Sequence, residues 1–524
     1  MTQVRRPRLA LVSLVGAITL ALATTAVAQR VITLNAVQIF GSIDPAIASD
    51  YTDYMAAVNL YDGLVTVDES GSVVALLAES WEGSDDATVF TFHLKRGATF
   101  HDGSEVQASD VVYSFQRLMA IGQGPSYLFD GVLDADSVTA IDDYTVEFRL
   151  SKVFSPFLAS VPLIFIVNED EVRANEVDGD WGRAYVGERS VGAGPYKVQS
   201  WERGSRMVFE RYEGYHRGWH EGAIDEVRVL ITSDEATIRA LAASGELTMT
   251  SQYSAPETYD ALARMDRFRV VSEPTATAFY YKFNTQVPPT DDVHIRRAIA
   301  CATDYETIRE VIFPGEPLAG PLPSVFADQY LDELELPKFD LDCAAEEIAL
   351  SGYAGQDRIP ITHAYVAEAA FEADIGLLFK AAMEPLGFDV TLQPEPWNRI
   401  TELATNVETT PNVTQVFFGP TYASPDSMFY TQYHSNAAGT WASMEWVLDP
   451  ELDALIDAAR GTADVEEQNR IYRQLQRELV DRQTDAFLLV QTVRHAMDVC
   501  LDGFTYVPIQ SFDYDWSRYT WTCD

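Results

Sequence analysis

Residues Val89–Leu118, VFTFHLKRGATFHDGSEVQASDVVYSFQRL, leave little freedom for the fold around them. Val89, Thr91, His93 and Lys95 alternate with Phe90, Phe92 and Leu94, the period-two pattern of a half-buried strand, and Arg96-Gly97 stops it. His101-Asp102-Gly103-Ser104 reads as a turn, with Gly103 free to take a positive φ. Val111, Val112, Phe115, Leu118 and Met119 then recur at helical spacing behind a polar entry at Gln107–Asp110. A strand, a turn and a helix in this order mark an α/β scaffold.

The chain has 524 residues, more than one hydrophobic core usually serves, so two or three lobes are expected. At 47% hydrophobic and 11% aromatic residues they should be globular. Arg5, Arg6 and Arg8 precede an apolar run from Leu9 to Ala23 and the small-residue site Ala26-Val27-Ala28. This is the pattern of a cleavable signal peptide, with cleavage after Ala28 and export to a periplasm. No other long apolar run occurs, so direct membrane insertion is not expected.

Loss of residues 1–28 takes the formal charge from −42 to −45, which disfavours nucleic acid as a partner. Such a charge reports on the whole surface and supports solubility; it assigns no site. In an exported chain the four cysteines imply two disulfides, and proximity pairs Cys301 with Cys343 and Cys500 with Cys523.

Further strands are expected at Thr145–Leu150, Tyr196–Val198, Met207–Arg211, Ile224–Ile231, Leu247–Thr250, Ile359–Val366, Val390–Leu392 and Phe487–Val490. Ser233 is read as the cap of a helix that ends at Gly245. Helices become more frequent beyond Pro288-Pro289, which reads as a boundary.

No G-x-S-x-G elbow, H-E-x-x-H, P-loop or strand-following G-x-G-x-x-G is present, so the chain is expected not to be an enzyme. A secreted hydrolase is the alternative from another class, and it lacks a recognisable nucleophile and base. His216 and His220 have i,i+4 spacing, but Gly214, Gly218 and Gly222 argue against a helix to present them. They read as surface histidines, with no metal and no cofactor expected.

Several ordered segments resemble the family 5 extracellular solute-binding proteins, the peptide, nickel and oligopeptide receptors of ABC importers. They are Asp44-Pro45, Leu60-Tyr61-Asp62-Gly63-Leu64, Leu77-Ala78-Glu79-Ser80-Trp81, the Val89–Leu118 block, Gly192–Tyr196 with Trp201, and Phe283-Asn284-Thr285 with Asp291–Ala298. The resemblance implies an α/β fold of the type II periplasmic-binding-protein kind, with two lobes, a hinge and an extra inserted domain. The corresponding division is signal peptide 1–28; lobe I 29–74, 186–285 and 491–524; inserted domain 75–185; and lobe II 286–490. A monomer is expected, with a small-molecule or peptide ligand and membrane permease subunits as partners. Sugars, opines, cationic metabolites and metal chelates are the alternative ligands.

By the same resemblance, Ser49, Tyr51, Tyr127, Gln252, Tyr253, Trp397, Phe418, Thr421 and Tyr422 fall at ligand-contacting positions. The chain departs from the pattern at Thr421, where peptide-binding relatives carry an aspartate that pairs with the ligand's α-ammonium. A hydroxyl cannot supply that charge-assisted bond, worth about 1.5–3 kcal/mol when sheltered. Asp426, five residues on, reads as a helix cap.

Overall fold

The computed structural model describes residues 1–2 and 29–523. The signal-peptide reading therefore lies outside the described residues, among which no helix is long and apolar enough to cross a membrane. Three sheets carry the fold. The first has strand order Val31–Ala36, Glu226–Ile231, Arg206–Arg211, Tyr196–Glu202, with its first pair parallel. The second has six strands in the order Gly315–Glu316, Asp485–Asp498, Phe268–Phe283, Val413–Phe418, Ile359–Val366, Phe388–Glu395. The third, Ala78–Gly83, Val89–Leu94, Thr145–Arg149, Val138–Asp142, contains the strand of the opening block.

In that block Phe90, Phe92 and Leu94 are buried while Val89, Thr91 and His93 are half-buried, as the alternation requires. Helix Ala108–Ile121 follows, entered by a reciprocal Gln107–Asp110 capping box and ended by Gly122 in the left-handed conformation. The turn at His101 then docks on another motif. His101 N–H donates to the Gly192 carbonyl at 2.9 Å, and its Nε2 lies 3.0 Å from the Gly194 carbonyl. Burial depresses the ring's pKa to about 4, which favours the neutral ring near pH 7, and since a carbonyl only accepts, the proton sits on Nε2. Gly192 and Gly194 in turn lie against the end of helix Tyr51–Leu60. A Cβ at Gly192 would stand 2.1 Å from the Leu60 carbonyl oxygen, so only glycine fits. Three motifs far apart in sequence thus meet at one junction.

Helix Ala108–Ile121 also ties the third sheet to the first. Arg117 is 1% exposed and bonds Asp44 in bidentate fashion, Nη1 to Oδ1 at 2.7 Å and Nη2 to Oδ2 at 2.6 Å. Its Nε donates to the Trp181 carbonyl.

The first and second sheets are joined by two long strands. Phe268–Phe283 pairs antiparallel with Asp485–Asp498 in two blocks, 268–274 with 492–498 and 278–282 with 485–490. Met249 bridges Leu34 on one side and Met497 on the other, which attaches the first block to the first sheet. From Ala278 the strand already pairs with Val413–Phe418, so the chain crosses between the sheets at 274–278, ahead of the Pro288-Pro289 pair.

Both proximity-paired disulfides, Cys301–Cys343 and Cys500–Cys523, are present. Some local readings change. Asp234, whose carboxylate accepts from Thr237 N–H, caps the helix assigned to Ser233. Leu247–Thr250 makes only isolated bridges at Met249. The His216 side chain is only 4% exposed, with Nε2 2.6 Å from Asp62, while His220 is at the surface as read.

Removing one member of a buried ion pair strands the other, at a cost of about 3–5 kcal/mol. Arg117→Met should therefore lower unfolding stability by about that amount in urea titrations, and adding Asp44→Asn should recover a large part of it. Equal stability of Arg117→Met and the parent protein would show that this tie does not stabilise the fold.

Candidate functional site

The crossing strands leave a cavity of about 50 Å³ between the two sheets. From the first side it is lined by Val37, Gln38, Asp50, Tyr51, Tyr253 and Gln510. Tyr51 opens helix Tyr51–Leu60, and Asp50 is its cap, with Oδ1 accepting from the N–H groups of Thr52 and Asp53. Tyr51 packs edge-on against Tyr253 with ring centroids 5.3 Å apart.

The second side brings Glu372, Trp397, Gln415, Phe417 and Trp441. Gln415 and Phe417 share one face of strand Val413–Phe418 because strand residues alternate. Phe417 stacks on Phe279 at 4.0 Å. An adjoining space of about 40 Å³ shares Tyr51, Tyr253, Phe417 and Gln510, and adds Gln252, Tyr506 and Asp513.

Two indoles latch the sides together. Trp397 Nε1–H donates to Asp50 Oδ2 at 2.9 Å, and Trp441 Nε1–H donates to the Ser49 carbonyl at 3.1 Å. The two rings meet edge-to-face at 5.2 Å. This is a closed arrangement of the two sides.

Buried acids and acceptors dominate the polar lining. Glu372 is 2% exposed and takes the Val366 N–H at 2.7 Å, and burial holds its carboxyl well above the usual range. Burial likewise raises Asp50, although its hydrogen bonds oppose the shift. In the adjoining space burial pushes Asp513 up to about 7. Gln415 is fully buried, and its Nε2 lies 3.0 Å from both the Glu372 carbonyl and His363 Nε2. A carbonyl only accepts, so the amide orientation is fixed and Oε1 is left without a partner.

Of the sequence-predicted positions, Tyr51, Tyr253, Gln252 and Trp397 come together at these spaces, and Ser49 contributes its carbonyl to a latch. The others lie elsewhere. Phe418 faces away from Phe417 and packs on Trp441, its centroid 5.9 Å away, so the reading is displaced by one residue of a period-two strand. Tyr127 stacks flat on Tyr430 and donates to Thr431 Oγ1, joining the third-sheet domain to the second side. Thr421 is buried with its N–H on Ser427 Oγ, and fully buried Tyr422 donates its hydroxyl to Asp426 at 2.5 Å.

Asp426 is not a cap, since Ser424 caps helix Pro425–Tyr433. Its carboxylate turns inward to Arg460, 3.3 Å away, and the Arg460 guanidinium lies over the Tyr430 ring. Sequence reasoning missed Glu372, Gln415, Phe417 and Trp441. The only available signal for two of them was the alternation in Val413–Phe418.

Two α/β lobes joined by a pair of crossing strands, with an aromatic cavity between them, make a fold of the type II periplasmic-binding-protein kind. More particularly, the chain belongs to the bacterial extracellular solute-binding proteins, family 5, whose middle-region model matches residues 72–440. It is similar to the probable D,D-dipeptide-binding periplasmic protein DdpA of Escherichia coli, with 26% identity over 89% of this chain and 90% of that one. In structure it resembles the ABC transporter-associated periplasmic binding protein DppA from Helicobacter pylori in complex with peptide STSA. That match has a TM-score of 0.85 and 20% identity, and covers 94% of this chain and 98% of the other. It also resembles the binding protein AgaA of A. tumefaciens in complex with agropinic acid, at TM-score 0.82 and 21% identity, covering 94% and 99%.

Trp397→Phe keeps the ring and removes one latch bond. It should shift the unliganded protein toward a more open form, read as an increased radius of gyration in solution scattering; an unchanged radius would show that the bond does not hold the lobes together. Asp513 gives a pH signature. Its folded pKa of about 7 lies above the unfolded value of about 3.9. Its ionisation thus favours the unfolded chain, and stability is lost as pH rises between these values. Asp513→Asn should remove that loss, so the variant's melting temperature should gain on the parent's from pH 4 to 7; parallel curves would count against the shift.

Proposed function

We propose that this protein is a periplasmic receptor that encloses a small peptide or peptide-like solute between its lobes and presents it to the permease of an ABC importer. The observation that carries this reading is the cavity at the lobe junction, closed by the Trp397–Asp50 and Trp441–Ser49 bonds. A ligand whose contacts come from both sides binds the closed form preferentially and shifts the population toward it. No bond needs to be made or broken, and membership of a binding-protein family agrees with a non-enzymatic role. The ligands of its relatives, D,D-dipeptides, the peptide STSA and agropinic acid, support a peptide-like solute.

We further propose Tyr51, Gln252, Tyr253 and Trp397 as ligand contacts, together with Phe417 and Trp441. The lobe division follows the crossings at 274–278 and 490–492, with the domain around the third sheet packed on both lobes.

A thermal-shift and scattering screen of di- and tripeptides, peptide amides, opines and amines tests the reading. A true ligand at 100 times its Kd should add about 2.7 kcal/mol of stability and contract or hold the molecule compact. A ligand that binds tightly yet leaves both melting temperature and the scattering of the Trp397→Phe protein unchanged would overturn enclosure between the lobes.

A further inference from the structure

The acidic side chains lining the cavity and its adjoining space are Asp50, Glu372 and Asp513, and among the described residues no lysine, arginine or histidine lines either. An acid cluster alone could be an accident of a strongly acidic chain. Gln415 is independent of it: a fully buried amide on the cavity wall, its N–H donors already committed and its Oε1 unpartnered. Gln38 and Gln510 also line the cavity and carry buried amide oxygens without partners. The acceptor fixed by its neighbours is Gln415 Oε1; the Gln38 and Gln510 amides can turn an oxygen toward the same ligand.

Buried acceptors are costly when unsatisfied, and buried carboxylates more so. A ligand bearing several N–H donors and a positive charge would satisfy both at once. The remaining wall is aromatic, with Tyr51, Tyr253, Trp397, Phe417 and Trp441, and π-faces attract cations. A free carboxylate would meet three further acidic groups and find no cationic side chain to pair with.

We infer that the cavity takes the ammonium or guanidinium head of its ligand among Asp50, Glu372 and Gln415, and that the ligand brings no free carboxylate into this space. This rests on the reading of an enclosing receptor and names the chemical class it encloses. The absence of an aspartate at Thr421 is then matched by acids elsewhere: Asp50 at the start of helix Tyr51–Leu60, and Glu372 on helix Ala370–Met383. The cationic head is held from both lobes, so its charge itself favours closure.

Matched pairs differing in one carboxylate provide the test: Ala-Phe against Ala-Phe-amide, and arginine against agmatine, by titration calorimetry on the mature protein. The carboxylate-free member should bind at least about tenfold more tightly in each pair. Glu372→Gln keeps an acceptor for Val366 N–H, and Asp50→Asn keeps a good helix cap, so both variants should fold, as circular dichroism would verify. Each should weaken binding of the tighter member by about tenfold. Equal or tighter binding of the free acids, no binding by any of the four compounds, or affinities within about twofold of the parent in both variants would overturn the inference. Scattering separates it from the broader reading: free acids that bind and contract the molecule leave enclosure standing while removing the cationic class. Binding without contraction or stabilisation strikes enclosure itself.

Discussion

The pairing of Phe268–Phe283 with Asp485–Asp498 is the constraint on which the rest of the structure depends. These strands belong to both lobes, so they fix the lobes' separation and aim their facing surfaces at each other. The pairing is interrupted between Pro274 and Ala278, where proline has no N–H to give. There Thr275 Oγ1 donates to the Gln491 carbonyl at 2.7 Å, and Ala276 N–H donates to the Tyr506 hydroxyl at 3.0 Å. Side chains replace ladder bonds over these few residues, and a second register shift follows between Phe279 and Tyr280. The cavity opens beside it, with Tyr506 at its adjoining space.

Around that joint, charge is placed where it can be neutralised. Arg117 is paired with Asp44, Arg460 with Asp426, and Lys282 with Glu445, all inside the protein. Arg460 also donates to the Leu128 carbonyl, so it links the third-sheet domain to the second lobe much as Arg117 links that domain to the first. The cavity departs from this pattern: its acids have no cationic side chain beside them.

Much of the architecture was legible in the sequence because its signals are local. The strand and helix of Val89–Leu118 rest on periodicity and a turn, and the two disulfides on proximity alone. The site was only half legible. Tyr51, Tyr253 and Trp397, reached through resemblance, line the cavity, whereas Phe418 lies on the strand face opposite Phe417, since a sequence shows that two faces alternate but not which one meets the cleft. Glu372 and Gln415 lie on different elements of the second side and come together only when that side folds. Asp426 was misread because its partner, Arg460, lies far along the chain, and a helix-start position predicts capping more readily than burial.

The two-strand crossing has a further consequence. Where lobes are joined by flexible tethers, a protease or a gene truncation can separate them into intact halves. Here each cut would leave half of two strands behind, exposing backbone donors and acceptors along a new sheet edge. Such edges recruit other strands. The lobes of this protein are therefore divisible in description only: they must fold as one body, and a fragment of either carries a built-in tendency to aggregate.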